Sequence, residues 1–339
     1  MLPHDKIIIM KLVLNKLIIL ILLLLGHCCF SDYTVAQTSD FSKLVVFGDS
    51  LSDTGNLAAI DLPPPFFENR ISNGPVAVDF IAQAIGSNAD RSDHLLGLND
   101  GGFNYAVAGG NILGTDPEDL GQQVTAFLDR VNQQADADAL YVVIIGGNDL
   151  RGLRSITDPE VASTRISALI SQLALQLNEL NSAGARAFLV ANVANVGRIP
   201  ETRNLLAEDP NIAIRVEQYV RQYNAALSQL LSEFEQTEGI AVVEFDLFQA
   251  LEDILDNANS LGFTNIEQGC FDSGDFSIEF ECLVLGFDSR VFFDNIHPSA
   301  RTYEIIAPQI IAAIPSLPEL SNPNNPFIMV PILPLLLED

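Results

Sequence analysis

Positive charge is scarce in this chain of 339 residues, which has 17 Lys and Arg side chains against 44 Asp and Glu side chains and a formal net charge of −27. Beyond residue 36 the single lysine is Lys43. A surface of this kind repels phosphate backbones and anionic lipid headgroups, which argues against nucleic-acid binding and against electrostatic docking on a membrane. The sequence contains no G-x-x-x-x-G-K-[ST] phosphate loop and no dinucleotide-binding fingerprint, so we expect no cofactor.

Histidine is also rare, with four residues in the whole chain, of which His4 and His27 lie near the N-terminus. The acidic residues Asp49, Asp53 and Asp149 have no histidine beside them and show no recognisable metal-ligand spacing. Local hydrogen bonds that stiffen turns are the simpler role for these carboxylates. The sequence therefore predicts no metal site.

An apolar run near the N-terminus, Leu17–Leu25, follows two lysines and precedes a stretch of small residues that ends at Ala36. This is the pattern of a secretory signal peptide with cleavage after Ala36, and the run is too short for a comfortable transmembrane helix. We therefore expect an exported protein from which residues 1–36 are removed. Met10 is an alternative start, and Cys28 is a weak candidate for lipid attachment.

The C-terminal residues 315–339 differ in composition from the rest of the chain. Several prolines indicate a linker, and Ile328–Leu337 is nearly all apolar. Pro331 and Pro334 interrupt this run, which is too short to span a bilayer. The sequence leaves three roles open for the tail: packing on the domain, touching a membrane or engaging a partner. We expect no integral membrane span after removal of the leader.

Of the four cysteines, Cys270 and Cys282 are the two that remain after removal of the leader. In an exported protein, two cysteines in one loop are typical of a disulfide. Two free thiols are the alternative. Closing a loop of about a dozen residues stabilises a fold by about 3 kcal/mol on the chain-entropy estimate.

Strand-like and helix-like segments alternate over residues 37–314. The second of five short β-rich runs is the weakest, and the runs cover residues 43–47, 103–106, 140–145, 187–193 and 240–245. Helical periodicity occurs in five longer segments, at residues 76–85, 120–134, 160–183, 212–234 and 301–313. This alternation predicts one α/β domain whose parallel sheet is covered by helices on both faces. Catalytic loops should lie outside the carboxyl ends of its strands.

The first β-rich run ends in the most informative segment of the chain. Leu44–Phe47 is apolar, Gly48 stops the run, and Ser50 follows where the backbone must turn. A strand that ends in a sharp turn can lift a serine hydroxyl to the edge of a sheet, where it can act as a nucleophile. An ordinary strand with a Gly-Asp-Ser turn is the alternative, so the interpretation depends on the other catalytic groups.

Three further blocks follow in order. Asn104–Gly110 comes after the weak strand, Gly146–Asp149 comes after the run at 140–145, and Asp294–Pro298 lies near the C-terminus. With the serine segment, these blocks resemble those of the GDSL lipase/esterase family, the SGNH hydrolases. The resemblance covers most of the chain beyond the leader. It implies the SGNH hydrolase fold, a three-layer α/β/α structure with a parallel, flavodoxin-like sheet of about five strands.

A serine hydroxyl needs a base at neutral pH, and beyond the leader the chain offers His94 and His297. His297 follows Asp294 by three residues, close enough for the carboxylate to orient the imidazole. His94 lies in a polar stretch that is typical of a solvated loop. We therefore predict a catalytic set of Ser50, His297 and Asp294, with Asp288 as an alternative acid. A turn followed by a helix-capping proline is the simpler interpretation of the Asp-His segment.

The resemblance also implies an oxyanion hole, formed by the backbone N–H groups of Ser50 and Gly109 and by the Asn148 side chain. A glycine suits this role because a substrate oxygen can approach its main chain closely. The alignment within the Gly109-Gly110 pair is open by one residue, and the spacing from Asn104 favours Gly109. The Gly-Gly pair and the Gly-Gly-Asn-Asp segment would also suit ordinary turns.

The resemblance implies a secreted serine hydrolase that cleaves small-molecule or lipid carboxylic esters through an acyl-enzyme. The first block and Ser72–Pro75 are similar to those of the subgroup that contains secreted lipases and lysophospholipases. A thioesterase and a carbohydrate deacetylase are the alternative enzymes. A catalytically silent surface-binding protein is the alternative from another class, and the complete set of catalytic residue types argues against it.

Overall fold

The computed structural model describes residues 41–57, 62–98 and 101–314, so the predicted signal peptide 1–36 and the C-terminal segment 315–339 lie outside the described residues. The strands within these ranges are β1 (Leu44–Gly48), β2 (Leu140–Ile144), β3 (Ala187–Ala191), β4 (Ala241–Phe245), β5 (Phe271–Asp272) and β6 (Ser277–Ile278). The α-helices are α1 (Ala77–Ala84), α2 (Leu120–Arg130), α3 (Gly147–Gly152), α4 (Pro159–Ala183), α5 (Pro200–Arg203), α6 (Ile212–Glu235), α7 (Leu247–Asp256), α8 (Phe280–Leu285) and α9 (Ala300–Ala313). None of these helices is long and apolar enough to cross a bilayer.

The main sheet has four parallel strands in the order β1-β2-β3-β4. The remaining predicted strand is reduced to an isolated bridge between Asn104 and Val46, with Tyr105 N–H donating to the Val46 carbonyl oxygen (2.7 Å). The pairing goes no further than Val107, whose N–H donates to the Gly48 carbonyl oxygen (3.1 Å), because Gly48 N–H donates to the Gln123 side chain (2.9 Å) instead of to this segment. With this segment placed beside β1, the spatial order of the five segments is 2-1-3-4-5, which is the flavodoxin-like order. The predicted parallel α/β architecture is confirmed.

The two faces of the sheet pack against different helices because successive strand residues point to opposite faces. Phe47, Tyr141 and Phe188 lie on one face. They make edge-to-face contacts with Phe127 of α2 and Phe234 of α6, at centroid distances of 5.3 to 5.9 Å. On the other face, the last residues of β2, β3 and β4 border a cavity whose opposite wall is α9. Helices therefore cover both faces, as a three-layer domain requires.

One helix is shorter than expected from the sequence, and α3, α5, α7 and α8 lie outside the segments that were predicted to be helical. Helix α2 ends at Arg130 rather than at residue 134, because Asn132 and Gln133 adopt φ values of +51° and +60° that a right-handed helix cannot continue. Helix α7 was not predicted. It begins after Asp246, whose carboxylate caps it by accepting from Gln249 N–H (3.0 Å).

Cys270 and Cys282 are joined by a disulfide with a Cα–Cα distance of 5.7 Å. The bridge closes a loop that contains the β5–β6 hairpin. Cys270 N–H and Phe271 N–H both donate to the Phe293 carbonyl oxygen (2.8 Å each). The bridged loop therefore packs directly on the chain segment that precedes Asp294.

Candidate active site

The turn after β1 presents the Ser50 hydroxyl at the carboxyl edge of the sheet. Asp49 N–H donates to the Ile144 carbonyl oxygen of β2 (3.2 Å), and the Asp49 carboxylate accepts from Leu51 N–H (3.0 Å). The N–H groups of Ser52 and Asp53 donate to the Asp49 carbonyl oxygen (3.1 and 3.0 Å). These bonds reverse the chain within a few residues and hold Ser50 at a fixed place beside β2.

The structure brings Ser50, His297 and Asp294 together, although 247 positions separate the serine from the histidine. Ser50 Oγ lies 2.7 Å from His297 Nε2, and His297 Nδ1 lies 2.8 Å from Asp294 Oδ2 and 3.0 Å from Oδ1. With its proton on Nδ1, the imidazole donates to the carboxylate and accepts from the serine hydroxyl. This arrangement allows His297 to take the serine proton.

The loop that carries Asp294 and His297 is held by its own backbone. Ile296 N–H and His297 N–H both donate to Asp294 Oδ1 (2.7 Å each), and Phe293 N–H donates to the His297 carbonyl oxygen (2.7 Å). The same carboxylate thus forms a turn and orients the imidazole. The turn that was the simpler interpretation of this segment is present, and it is part of the geometry of the site.

Two buried carboxylates, those of Asp294 and Asp49, interact electrostatically with His297. Burial alone would raise the pKa of Asp294, but His297 and the backbone N–H groups of the loop outweigh burial and lower the pKa below its ordinary value. Burial raises the pKa of Asp49 to about 6, although Leu51 N–H and His297 oppose the increase. The charge of His297 acts on both carboxylates in the direction that lowers their pKa.

Asn148 lies in the first turn of α3, where two hydrogen bonds orient its amide. The Arg151 guanidinium donates to Asn148 Oδ1 (2.8 Å), and Asn148 Nδ2 donates to the Gly110 carbonyl oxygen (3.0 Å). Because Nδ2 carries two N–H bonds, one remains for a further acceptor. In the Gly-Gly-Asn-Asp segment, Gly146 has φ +111° and Gly147 begins α3. The segment is thus the start of a helix rather than a simple turn.

The structure distinguishes between the backbone N–H groups of Gly109 and Gly110, the two positions that the resemblance leaves open. Gly110 N–H already donates to the Val107 carbonyl oxygen (3.0 Å). Within the described ranges, no acceptor lies on the N–H group of Gly109 or on that of Ser50. Gly109 adopts φ +92°, so its conformation requires glycine although a Cβ would meet nothing within 4 Å. These observations favour Gly109.

Buried polar groups join the second block to the nucleophile turn. The Asp53 carboxylate accepts from Ala108 N–H (2.8 Å), and Asn104 Nδ2 donates to the Ser52 carbonyl oxygen (2.7 Å). Asp149 likewise accepts backbone N–H groups from the loop before α2 (2.8 and 3.3 Å). These carboxylates act as acceptors for loop N–H groups. In the described part of the chain, no cluster of three or more His, Cys, Asp and Glu side chains could hold a metal ion.

The alternative base and acid lie in other surroundings. His94 Nδ1 is 2.6 Å from Ser92 Oγ. His94 is half-buried rather than solvated as expected, and burial lowers its pKa to about 4. The Asp288 carboxylate accepts from Asn73 Nδ2 (3.2 Å). The carboxylate that contacts His297 is the one predicted three residues before it.

Sequence reasoning missed Arg151 and Glu201, which connect the Asn148 amide to the histidine loop. Arg151 Nε and Nη2 donate to the two carboxylate oxygens of Glu201 (2.9 and 2.8 Å). Glu201 N–H in turn donates to the Asn295 carbonyl oxygen (2.8 Å). Arg151 was detectable as a neighbour of Asn148 because residues three apart face each other on a helix. No local signal points to Glu201.

Gln123 of α2 was also missed. Its fully buried amide accepts from Gly48 N–H (2.9 Å) and donates to the Gly48 carbonyl oxygen (2.7 Å). Both backbone groups at the end of β1 are thereby satisfied by one side chain, which fixes the strand just before the nucleophile turn. A buried glutamine on an amphipathic helix is visible in the sequence, but its partner is not.

A comparison with known families adds an independent finding. Residues 44–310 match the family described as GDSL-like lipase/acylhydrolase. The chain belongs to this family. The matched range extends from the first residue of β1 into α9 and contains all four sequence blocks.

Relatives within the family include the GDSL esterase/lipase At4g16230 of Arabidopsis thaliana, which is 26% identical over 88% of this chain and 93% of its own. The GDSL esterase/lipase At5g08460 of the same organism is 30% identical over 80% of this chain and 83% of its own. Among solved structures, a catalytic mutant of the acetylxylan esterase Axe2 from Geobacillus stearothermophilus aligns with a TM-score of 0.43 and 13% identity. That alignment covers 83% of this chain and 97% of the Axe2 chain. GDSL esterases/lipases are carboxylic ester hydrolases, and this protein is a member of that class of enzyme.

Proposed function

We propose that this GDSL-family protein is an exported serine esterase or lipase that works through an acyl-enzyme intermediate. The observation that carries the proposal is the continuous contact from Ser50 Oγ to His297 Nε2 (2.7 Å) and from His297 Nδ1 to Asp294 Oδ2 (2.8 Å). The three groups are buried, with exposures of 7%, 9% and 7%. Hydroxyl, imidazole and carboxylate thus have the order and distances that activate a serine.

In the proposed reaction, His297 removes the Ser50 proton while Oγ attacks the ester carbonyl carbon. The N–H groups of Ser50 and Gly109 and the Asn148 amide donate to the oxyanion that forms. The imidazolium then protonates the departing alcohol, which leaves an acyl group on Oγ. A water molecule, deprotonated by His297, attacks this acyl carbon and releases the acid, and the proton returns to Oγ.

Export is the part of the proposal that concerns location. The charged, apolar and small-residue pattern of residues 1–36 supports it, as does the disulfide between Cys270 and Cys282. Disulfides persist in oxidising compartments and are rare in the cytosol. N-terminal sequencing of the exported protein should start near Gln37, and an exported form that retains Leu17–Leu25 would contradict cleavage.

The test of the proposed reaction is labelling with a fluorophosphonate, which reacts with activated serines. We expect the full chain to be labelled on Ser50 and the Ser50→Ala variant to remain unlabelled. Ser92→Ala is the matched control, because Ser92 also contacts a histidine (His94, 2.6 Å). It should be labelled like the wild type. Absence of label on folded wild-type protein would instead support a silent binding protein.

The Asn148 side chain gives a graded prediction. Asn148→Ala should lower kcat roughly 10²–10³-fold, as loss of one oxyanion donor does in other hydrolases. Steady-state kinetics on p-nitrophenyl butyrate measures the effect. Asn178→Ala is the control, because that amide is exposed on α4 and donates only to the Ala174 carbonyl oxygen of its own helix (2.8 Å). Near-normal kcat in a folded Asn148→Ala variant would remove this residue from the oxyanion hole.

A further inference from the structure

The Arg151 side chain lies between the Asn148 amide and the Glu201 carboxylate and bonds to both. Its Nη1 donates to Asn148 Oδ1 (2.8 Å), while Nε and Nη2 donate to the two carboxylate oxygens of Glu201 (2.9 and 2.8 Å). Two parallel bonds to one carboxylate fix the plane of a guanidinium, because the fork of N–H groups matches the two oxygens. The remaining edge of the guanidinium is therefore aimed at Asn148 from a fixed position.

Glu201 is itself held through both its side chain and its backbone. The Arg154 guanidinium donates to the same carboxylate. Burial would raise the pKa of Glu201, but Arg151 and Arg154 outweigh burial and lower the pKa below its ordinary value. Glu201 N–H donates to the carbonyl oxygen of Asn295, which lies between the catalytic acid and the catalytic histidine along the chain (2.8 Å). The Arg151–Glu201 pair thus joins the oxyanion amide to the histidine loop.

The two ends of the Asn148 amide differ chemically, and their neighbours distinguish them. A guanidinium can only donate, and the Gly110 carbonyl can only accept. Both bonds are made when Oδ1 faces Arg151 and Nδ2 faces Gly110 (3.0 Å). An amide turned end for end would place its NH₂ group against a cation and its oxygen against an oxygen. The orientation in the structure is the one that leaves an N–H group for a further acceptor.

We propose that Arg151 is a positioning residue for ester hydrolysis, which holds the Asn148 amide with its N–H group toward the oxyanion. The proposal rests on the proposed function, in which Asn148 is one of the oxyanion donors. An amide oxygen in the same place would repel the oxyanion, so the orientation affects the rate directly. In the described structure Arg151 makes no hydrogen bond to Ser50 or His297, and its effect on the reaction passes through Asn148.

A direct electrostatic role is the competing explanation. Burial raises the pKa of Asp49, and the positive charge of Arg151 is among the influences that oppose the increase. That charge therefore acts at the nucleophile turn, where it could also favour the oxyanion without any help from Asn148. The two explanations differ in one respect: a positioning effect disappears when the Asn148 amide is removed, and a direct charge effect persists.

The first test is a double-mutant cycle of Asn148→Ala and Arg151→Ala, with kcat and KM measured on p-nitrophenyl butyrate. Arg151→Ala should lower kcat about 10- to 50-fold and change KM less than about threefold, since it weakens an interaction of the transition state. The loss is smaller than that of Asn148→Ala because the Gly110 carbonyl still favours the same orientation. In the Asn148→Ala background, Arg151→Ala should change kcat less than about twofold. An equal loss in both backgrounds would overturn the proposal.

The second test keeps the charge and removes the fork. In Arg151→Lys the ammonium remains positive, but it cannot make two parallel bonds to Glu201 while donating to Asn148. We expect kcat at least about fivefold below wild type, because the direction of the bond to Asn148 is lost. A kcat equal to that of wild type would show that charge alone is sufficient and would contradict a positioning role.

Arg70→Ala is the matched control. Arg70 also bonds to one carboxylate through two parallel bonds, those to Asp79 (2.8 and 2.6 Å). Its side chain is 13% exposed, against 20% for Arg151. The substitution should leave kcat within about twofold of wild type, since an effect of an ion pair on folding alone does not reach the transition state. Thermal melting would confirm folding, which we expect Arg151→Ala to retain because Glu201 keeps its bond from Arg154.

A measurement that needs no substrate separates this proposal from the proposed reaction. If the folded wild-type protein cleaves no ester, the proposed reaction fails, and NMR of the Asn148 side-chain NH₂ group decides the positioning role. Its signals are identified by their loss in Asn148→Ala. They should shift and broaden in Arg151→Ala, because the amide then samples both orientations, and remain unchanged in Arg70→Ala. Unchanged signals in Arg151→Ala would overturn the proposal.

Discussion

Replacement of His297 by alanine is expected to reduce kcat on p-nitrophenyl esters roughly 10⁶-fold, the loss seen when the base of a serine hydrolase is removed. The expectation follows from the 2.7 Å contact between His297 Nε2 and Ser50 Oγ, which in the described structure is the only histidine contact of that hydroxyl. Without the imidazole, the serine keeps its proton and the alcohol leaves without an acid. Oxyanion donors and substrate binding remain, so a residual rate above water is also expected.

His94→Ala is the control for this prediction, since the same residue type is removed from a half-buried position outside the site. His94 contacts Ser92 Oγ, and its substitution should leave kcat/KM within about twofold of wild type. Thermal melting of both variants would separate loss of chemistry from loss of folding. If His94→Ala abolished activity and His297→Ala did not, the assignment of the base would be reversed.

The architecture could be predicted because its signals are local. Strands buried on both faces of a parallel sheet are continuous apolar runs, and all five residues of β1, β2 and β3 are buried. The segment around Asn104 was harder to predict. It has the composition of a strand, but Gly48 N–H donates to the distant Gln123 side chain rather than to this segment, so the pairing with β1 does not continue as a regular ladder beyond the bridge at Val46.

The parts of the site that depend on long-range contacts were not accessible from the sequence. The clamp of Gln123 on Gly48 joins residues 75 positions apart, and the contact between Arg151 and Glu201 joins residues 50 positions apart. Neither pair shares a spacing pattern that a sequence can display. The cavity between the sheet and α9 is of the same kind, because one wall comes from the register of three strands and the other from a helix near the end of the described chain.

The hydrogen bonds of Asp294 explain why the Asp-His segment could be interpreted both as a turn and as a catalytic pair. The Asp294 carboxylate accepts backbone N–H groups of its own turn and contacts the His297 ring. A turn and a catalytic pair are therefore the same structure, and the sequence signal for one is the signal for the other. What the sequence could not supply was the position of Ser50 relative to that turn.

Asp294→Asn is expected to lower kcat roughly 10⁴-fold, less than loss of the base itself, because the imidazole remains but loses the partner that fixes its tautomer. The pH profile carries a second expectation. The lowered pKa of Asp294 shows that the carboxylate and the imidazolium stabilise each other. Removing the negative charge makes the imidazolium easier to deprotonate, so the acidic limb of kcat/KM should move to lower pH.

The matched control is Asp288→Asn, which removes a nearby carboxylate that bonds to Asn73 rather than to His297. We expect near-normal kcat and an unmoved acidic limb. Profiles of kcat/KM from pH 4 to pH 9 on a short-chain ester would measure both variants. Thermal melting at pH 4 and at pH 9 would show that each variant stays folded over this range. Full activity and an unchanged limb in Asp294→Asn, together with a loss in Asp288→Asn, would transfer the orienting role to Asp288. The 2.8 Å contact between His297 Nδ1 and Asp294 Oδ2 leads us to expect the opposite result.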